Sequence, residues 1–386
     1  MKKIIIKIVT RYLAYLARGI YNRFHPYVIG ITGSSGKTTT KYLIGELLKK
    51  FYYRDVYIAS GNMNTEYSLP LAIIGYEKSP KGVWQWISVV VSAPFRTVWR
   101  IEFPKYLVLE YAADKPGDME QLLSIVKPDI AVITNFGVAH LEAFGSMDNI
   151  ANEKWKLALA ARDNIVASKN VISIGKEIEF PRAQTIIPSE IGAIAKSIKT
   201  FSNKTEFDFY ISSRKEQTEF ELLGEHNVRN LELSVIVALL CGIPSKKIFE
   251  IIPELKPQSG RGKRIFGRKN IVIIDESYNA NPLSMIAALK VFSEIKLGRK
   301  VAILGEMREI GHISEKSHRE VAKYAKEIAD FTIGVGDGFR DLSLDKWYPN
   351  VKELKGEVEN YLKSGDVVLI KGSLSNSLSE LVDILQ

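Results

Sequence analysis

The chain has 386 residues, 46% hydrophobic and 25% charged, which is enough for two or three domains with their own cores. Its net charge of +9 does not describe a nucleic-acid-binding body: Lys2, Lys3, Lys7, Arg11, Arg18 and Arg23 fall within residues 1–27, where there is no acid, and supply six of the nine excess charges. The single cysteine, Cys241, excludes a disulfide framework or a cysteine-based zinc site within one chain and suits a reducing cytoplasm.

Residues 3–24 read as a helix, with Ile4, Ile8, Tyr12, Leu13, Leu16 and Ile20 on one face. The helix is expected to pack on the first domain. Its purely basic polar side also leaves open contact with a membrane surface or a partner enzyme through residues 1–24. No small-residue cleavage site follows, so the segment is not read as a secretory signal.

From Tyr27 onward apolar runs alternate with helical stretches. Strands are expected at 28–32, 55–59, 106–111, 129–134 and 164–168, and helices at 37–50, 117–126, 147–162 and 226–241. Such alternation predicts an α/β fold with a mostly parallel sheet. The uncharged stretch Val83–Phe95 is too short to cross a bilayer, so a soluble, cytoplasmic protein is expected. Residues 180–223 break the rhythm and suggest small antiparallel strands. After the turn-rich 257–260 a second alternation begins, with strands at 271–275, 300–304, 331–335 and 366–370 and a helix at 374–385. The expected organisation is a basic helix (1–27), a P-loop central domain (28–258) and a C-terminal Rossmann-like α/β domain (259–386).

The most informative segment is VIGITGSSGKTTT, residues 28–40. A β-branched strand runs into Gly33, Ser34, Ser35 and Gly36, then into a helix starting at Lys37, Thr38 and Thr39. Glycines let successive backbone N–H groups face phosphate oxygens, and the helix N-terminus adds its positive end. Lys37 reaches the β- and γ-phosphates, and the Thr38 hydroxyl is a magnesium ligand. Ile31 stands where the longer loop pattern has its first glycine, so the match is to the shorter GxxGK[ST][ST] form. ATP and magnesium are therefore expected. Glu110 ends the strand YLVLE and His140 follows the strand DIAVITNF. Both belong to the carboxyl edge where the loop sits, which suggests metal duty.

Eight segments occur in order: GITGSSGKTTT, LEYAADKPGD, ITNFGVAHLEAFGS, IANEK, GEHNVRN, DESYNANPLSM, LGEMREIG and IKGS. Together they resemble the Mur ligase superfamily, ATP-dependent amide-bond-forming enzymes of peptidoglycan precursor synthesis. GNMNTEYSLPL (61–71), DESYNANPLSM (275–285) and LGEMREIGHISEKSHREV (304–321) make the MurF type the best likeness. The resemblance implies ADP-forming ligation of D-alanyl-D-alanine to a muramyl tripeptide through an acyl phosphate, in a monomer.

By that resemblance Gly33, Ser34, Gly36, Lys37, Thr38, Thr39 and Asn135 hold the nucleotide, together with Asn227, Arg264 and Asp275. Arg261 and Arg268 are equal candidates beside Arg264. Thr38, Glu110, His140 and Lys154 hold magnesium, Lys154 as a carbamate; the alternative for Lys154 is a plain surface lysine. Lys37, Glu110, His140 and Lys154 carry the catalysis. Asn62, Asn64, Thr65, Tyr278, Asn279, Asn281 and Lys371 meet the substrates, although Asn-rich strings also form turns. Two features depart from the family. Only residues 1–27 precede the ATP domain, where relatives carry a uridine-nucleotide-binding domain, and the arginine usual after the last KGS is replaced by Leu374-Ser375-Asn376. Two alternatives therefore stand beside the main reading: a ligase for another peptide or amino-acid polymer, and a non-catalytic ATP-binding scaffold.

Overall fold

The computed structural model describes residues 2–61 and 63–386, with side chains from Ile6 onward. It divides into two units. The first comprises the chain up to Phe136 with Ser146–Ile194 and Asn230–Ile248; the second comprises Gly137–Gly145, Ala195–Arg229 and Phe249–Gln386.

The first unit is built on a six-stranded sheet. Its strands are β1 (Tyr27–Thr32), β2 (Val56–Ile58), β3 (Tyr106–Glu110), β4 (Ile130–Ile133), β5 (Asn164–Ala167) and β6 (Gln184–Ile186). The order is β2-β3-β1-β4-β5-β6, and every neighbouring pair is parallel. Strands β1, β3 and β4 read as unbroken apolar runs because both faces of a parallel sheet are covered; Val28, Ile29, Leu107, Val108, Ala131 and Val132 are all buried. Gly30 has a packing reason. A Cβ there would stand 2.9 Å from the Tyr111 ring, whose hydroxyl donates to the Val126 carbonyl at 2.9 Å. The chain leaves β1 toward β2 and β3 on one side and continues to β4 on the other. The crevice between the carboxyl ends of β1 and β4 is thus the switch point where open α/β sheets bind ligands.

The helices that matter below are α1 (Lys2–Phe24), α2 (Lys37–Tyr52), α3 (Ser68–Ile74), α4 (Val83–Val98), α5 (Asp118–Leu123), α6 (Leu141–Phe144) and α7 (Met147–Ala160). All but α6 belong to the first unit. Helix α1 packs on α3 and α4 through Leu13, Ala17 and Ile20. Ile8 points to solvent instead of joining that face. At 100° per residue it lies about 140° around the helix from Leu13. Helix α4 was visible in the sequence only as an apolar run too short for a bilayer. Cys241 is buried, its thiol pushed up to about 12 by burial, and its carbonyl accepts from the Tyr52 hydroxyl at 2.5 Å.

The second unit holds two sheets. Strands β7 (Ile194–Thr200), β8 (Thr205–Ile211) and β9 (Arg214–Phe220) form the small one, with β8 and β9 antiparallel. Phe207 and Phe209 alternate into its core, as a half-buried strand requires. The larger sheet contains β10 (Lys263–Phe266), β11 (Val272–Glu276), β12 (Lys300–Gly305), β13 (Phe331–Val335), β14 (Lys346–Tyr348) and β15 (Val367–Lys371). Its order is β10-β11-β15-β12-β13-β14, antiparallel only between β10 and β11. The helix expected over 374–385 is interrupted: a tight turn at Leu374–Asn376 ends in Ser377, at φ +54, and helix resumes at Ser379. A left-handed residue cannot continue a right-handed helix.

Candidate active site

At the end of β1 the chain turns through Gly33, at φ +147. No side chain fits there, because a Cβ would stand 1.9 Å from Thr134 Oγ1. Gly36, at φ +78, enters α2, and a Cβ on it would meet Asn230 Oδ1 at 2.8 Å. The loop between them is fastened to the residues that follow β4. Ser34 N donates to the Asn135 carbonyl at 3.1 Å, Ser35 N to Asn135 Oδ1 at 3.1 Å, and Thr134 Oγ1 to the Ser35 carbonyl at 2.6 Å. Asn135 Nδ2 donates to Ser35 Oγ at 2.9 Å. Asn135 thus shapes the loop, and the opening turn of α2, with Thr39 buried behind it, presents its amides at the switch point. Lys37 Nζ folds back to the Gly33 carbonyl at 2.7 Å.

Beside the loop lies a buried polar cluster. Glu110 is 3% exposed at the end of β3. Thr38 Oγ1 donates to its Oε2 at 3.0 Å, Asn64 Nδ2 to its Oε1 at 3.1 Å, and Lys41 Nζ stands 3.5 Å from Oε2. Lys41 also donates to the Gly61 carbonyl at 3.0 Å. Thr65 turns the chain into α3: its N donates to Ser68 Oγ at 3.0 Å. Asn62 lies outside the described residues.

Lys154 is 1% exposed, so the surface-lysine alternative does not hold. Its Nζ is 3.5 Å from the Ala113 carbonyl. Burial, followed by the nearby charge of Lys37, lowers the Lys154 ammonium to about 7. Lys156 is the solvent-facing neighbour, paired with Glu153 at 2.8 Å and Glu120 at 2.9 Å.

The second unit carries the remaining residues. Asp275, at the end of β11, accepts from Gly260 N at 2.7 Å, Ser277 Oγ at 2.6 Å and Ser277 N at 3.2 Å. Its carboxylate ties two loops together and so sets the position of Tyr278. Arg261 stacks on the Tyr278 ring with its guanidinium 4.0 Å from the centroid. Arg264 lies instead over Phe266, in a depression shared with Lys204, Pro253 and Pro257, and Arg268 is exposed near Glu359. Lys371 ends β15 fully buried. It donates to Glu276 Oε2 at 3.2 Å and to the Asn279 carbonyl at 3.0 Å, while burial lowers its ammonium below the usual lysine range. Asn279 Oδ1 accepts from Ala280 N at 2.8 Å. Asn281 caps the helix Pro282–Glu294 in a reciprocal box with Ser284. Asn227 Nδ2 donates to the Leu223 carbonyl at 2.8 Å. His140, at φ +55 before α6, places Nδ1 2.5 Å from Glu309 Oε2.

Among the described residues no three His, Cys, Asp or Glu side chains converge as a metal cluster. The donors present, the Thr38 hydroxyl and the Glu110 carboxylate, are hard oxygens. They fit magnesium, which uses one or two protein ligands and completes its shell with water and phosphate oxygens. Lys41, Glu276 and Glu309 were not singled out in the sequence. Lys41 did leave a signal, being one turn beyond Lys37 on α2.

A phosphate loop at the switch point of a parallel sheet, with the Thr38 hydroxyl on a buried carboxylate beside it and a second unit with its own α/β sheet, defines a two-unit ATP-using α/β enzyme. The chain belongs to the Mur ligase family: the Mur ligase middle domain matches residues 31–88 and 95–238, and the Mur ligase glutamate ligase domain matches residues 260–374. It is 27% identical to the UDP-N-acetylmuramoyl-tripeptide–D-alanyl-D-alanine ligase of Borreliella burgdorferi, over 93% of this chain and 74% of the relative. It is 28% identical to the Bacillus subtilis enzyme of the same name, over 96% of this chain and 78% of the relative. The fold is similar to that of the MurF ligase from Thermotoga maritima in complex with ADP, with a TM-score of 0.80 at 27% identity, covering 97% of this chain and 83% of that one.

Proposed function

We propose that this chain is an ATP-dependent, ADP-forming ligase that joins D-alanyl-D-alanine to a muramyl tripeptide, the activity named for its relatives in Borreliella and Bacillus. The observation that carries the reading is Glu110. It is a buried carboxylate held by Thr38 and Asn64 beside the phosphate loop, in a family of ligases. The acceptor's carboxylate attacks the γ-phosphorus, and ADP leaves. The amine of the dipeptide then attacks the acyl carbon, losing a proton, and phosphate departs. Lys37 and the first-turn amides of α2 neutralise charge on the transferring group, which is the main form of catalysis in such steps.

Magnesium bound by Thr38 and Glu110 would supply further charge neutralisation on the phosphate oxygens. His140, oriented by Glu309, has the carboxylate-backed arrangement typical of a histidine ligand. Lys154 supports the reading by its burial. A largely dehydrated amine near Lys37 gains from becoming an anionic carbamate, its nitrogen bonding to CO2 with loss of one proton. On the second unit Tyr278, Asn279 and Lys371, with Arg261 stacked on Tyr278, are assigned to the dipeptide side, and Asn227, Arg264 and Asp275 to the nucleotide side. The test is ADP release from ATP with UDP-muramyl tripeptide and D-alanyl-D-alanine. Release that requires both substrates is expected, and none with any muramyl acceptor would remove the assignment.

A further inference from the structure

Helix α4 is apolar on both sides. Val89 and Ala93 are buried against the first unit. On the opposite side Trp84, Ile87, Val91, Phe95 and Val98 fall within about an 80° stripe at 100° per residue. All five are exposed, Trp84 by 83% and Val98 by 65%, and Trp99 beyond the helix end by 71%. A helix that is apolar all round belongs in a buried setting. A continuous stripe of this kind, roughly 24 Å long for 16 residues, marks a surface that something covers.

The surrounding charge indicates what covers it. Lys78 and Lys81 lead into the helix exposed, with Glu77 and Glu102 the acids at its two ends. Arg96 and Arg100 turn away from the stripe and donate to the Gly75, Ile73 and Ile74 carbonyls. Helix α1, whose charged residues are all basic, runs alongside in the same direction. Tyr12 Oη donates to the Val90 carbonyl at 3.2 Å, and Arg23 to the Val98 carbonyl at 2.9 Å. From it Ile8 and Tyr15 add exposed apolar surface, and Lys7 and Arg11 add exposed charge. Tryptophans at both ends of the stripe are the side chains that settle at a lipid headgroup boundary. A second copy of this chain would set these cations against one another. No helix among the described residues is long and apolar enough to cross a membrane, so the geometry suits a helix lying in the interface plane.

We propose that α4, flanked by α1, is a docking face for an anionic lipid bilayer. The stripe enters the acyl boundary while the exposed Lys7, Arg11, Lys78 and Lys81 meet acidic headgroups. Nothing in this depends on which peptide the enzyme ligates.

Flotation of the full chain with phosphatidylcholine vesicles, with and without phosphatidylglycerol, tests the proposal. The protein is expected to float with the anionic vesicles, with a blue shift of tryptophan emission and release on raising salt. The pair Trp84→Ser and Phe95→Ser should weaken binding about a hundredfold. Lys7→Gln and Lys81→Gln, which remove no packing, should each weaken it about fivefold. Unchanged circular dichroism and ATP binding would show that the variants are folded. Failure of the wild-type chain to float with anionic vesicles overturns the proposal. If that failure accompanies a dimer that Trp84→Ser dissociates, the face belongs to a second copy.

Discussion

Thr38 Oγ1 donates to Glu110 Oε2 at 3.0 Å, which joins the first residues of α2 to the last residue of β3. The other carboxylate oxygen is held by Asn64, so the carboxylate is fixed in rotation before any substrate arrives. Lys41 balances its charge from within the same helix as Thr38.

Removing either end of that pair should damage catalysis far more than folding. Thr38→Ala is expected to slow ADP formation by about a hundredfold or more, and Glu110→Gln by a similar or larger factor. Single-turnover ADP release measures both, with nucleotide binding followed separately. A variant within tenfold of wild type would contradict the role given to the pair.

Lys154 offers a chemical test. With its ammonium lowered to about 7, a substantial fraction is neutral amine at neutral pH and able to add CO2. Incubation with 13C-bicarbonate should give a carbamate resonance that Lys154→Arg lacks. Activity should fall in CO2-depleted buffer and return with bicarbonate. Full activity without CO2 would argue for an unmodified lysine.

Asn281 separates a supporting role from a substrate contact. Its side chain accepts from Ser284 N at 2.8 Å at the start of a helix. Asn281→Ala should cost about 1 kcal/mol, seen as a fall of about 2–4 °C in Tm. KM for the dipeptide should stay within about twofold. A large rise in KM with unchanged Tm would make Asn281 a substrate contact.

His318 gives the second unit an acid-sensitive point. Its Nε2 accepts from Met307 N at 2.9 Å, and Nδ1 lies 2.8 Å from the Ser314 carbonyl, so the ring is neutral with its proton on Nδ1. Burial lowers its pKa below 6.5. Between that lowered value and 6.5 the unfolded chain binds more protons than the folded one. Stability therefore falls as pH drops through this window and is unaffected by this group above it. Thermal unfolding at pH 5 to 7.5 should show this slope, and His318→Gln should flatten it while lowering stability at pH 7.5.

The phosphate loop and its sheet were legible because they depend on local pattern. β1, β3 and β4 are apolar runs buried on both faces, and the glycines at 33 and 36 stand where φ is positive. β6 and β14 are three residues each, open on exposed positions and carry too little apolar pattern to be read, whereas the equally short β2 opens on the buried Val56. The place of Lys154 was not legible. Its neighbours made either face of α7 plausible, and only the fold turns it inward while Lys156 faces Glu120. Arg261 and Arg264 were equivalent in sequence, and only the pairing of β10 with β11 separates the arginine over Tyr278 from the one over Phe266.

Cys241 has a practical consequence. It is the chain's sole cysteine, buried, with a thiol pushed up to about 12, so it resists alkylating reagents near neutral pH. A cysteine introduced at an exposed position, such as Ser88 on α4 or Lys269 in the second unit, would then be the one labelled thiol without any prior mutation of the native residue. Spin labels or fluorophores at two such sites would give distances between the units through a turnover, in a background that needs no engineering.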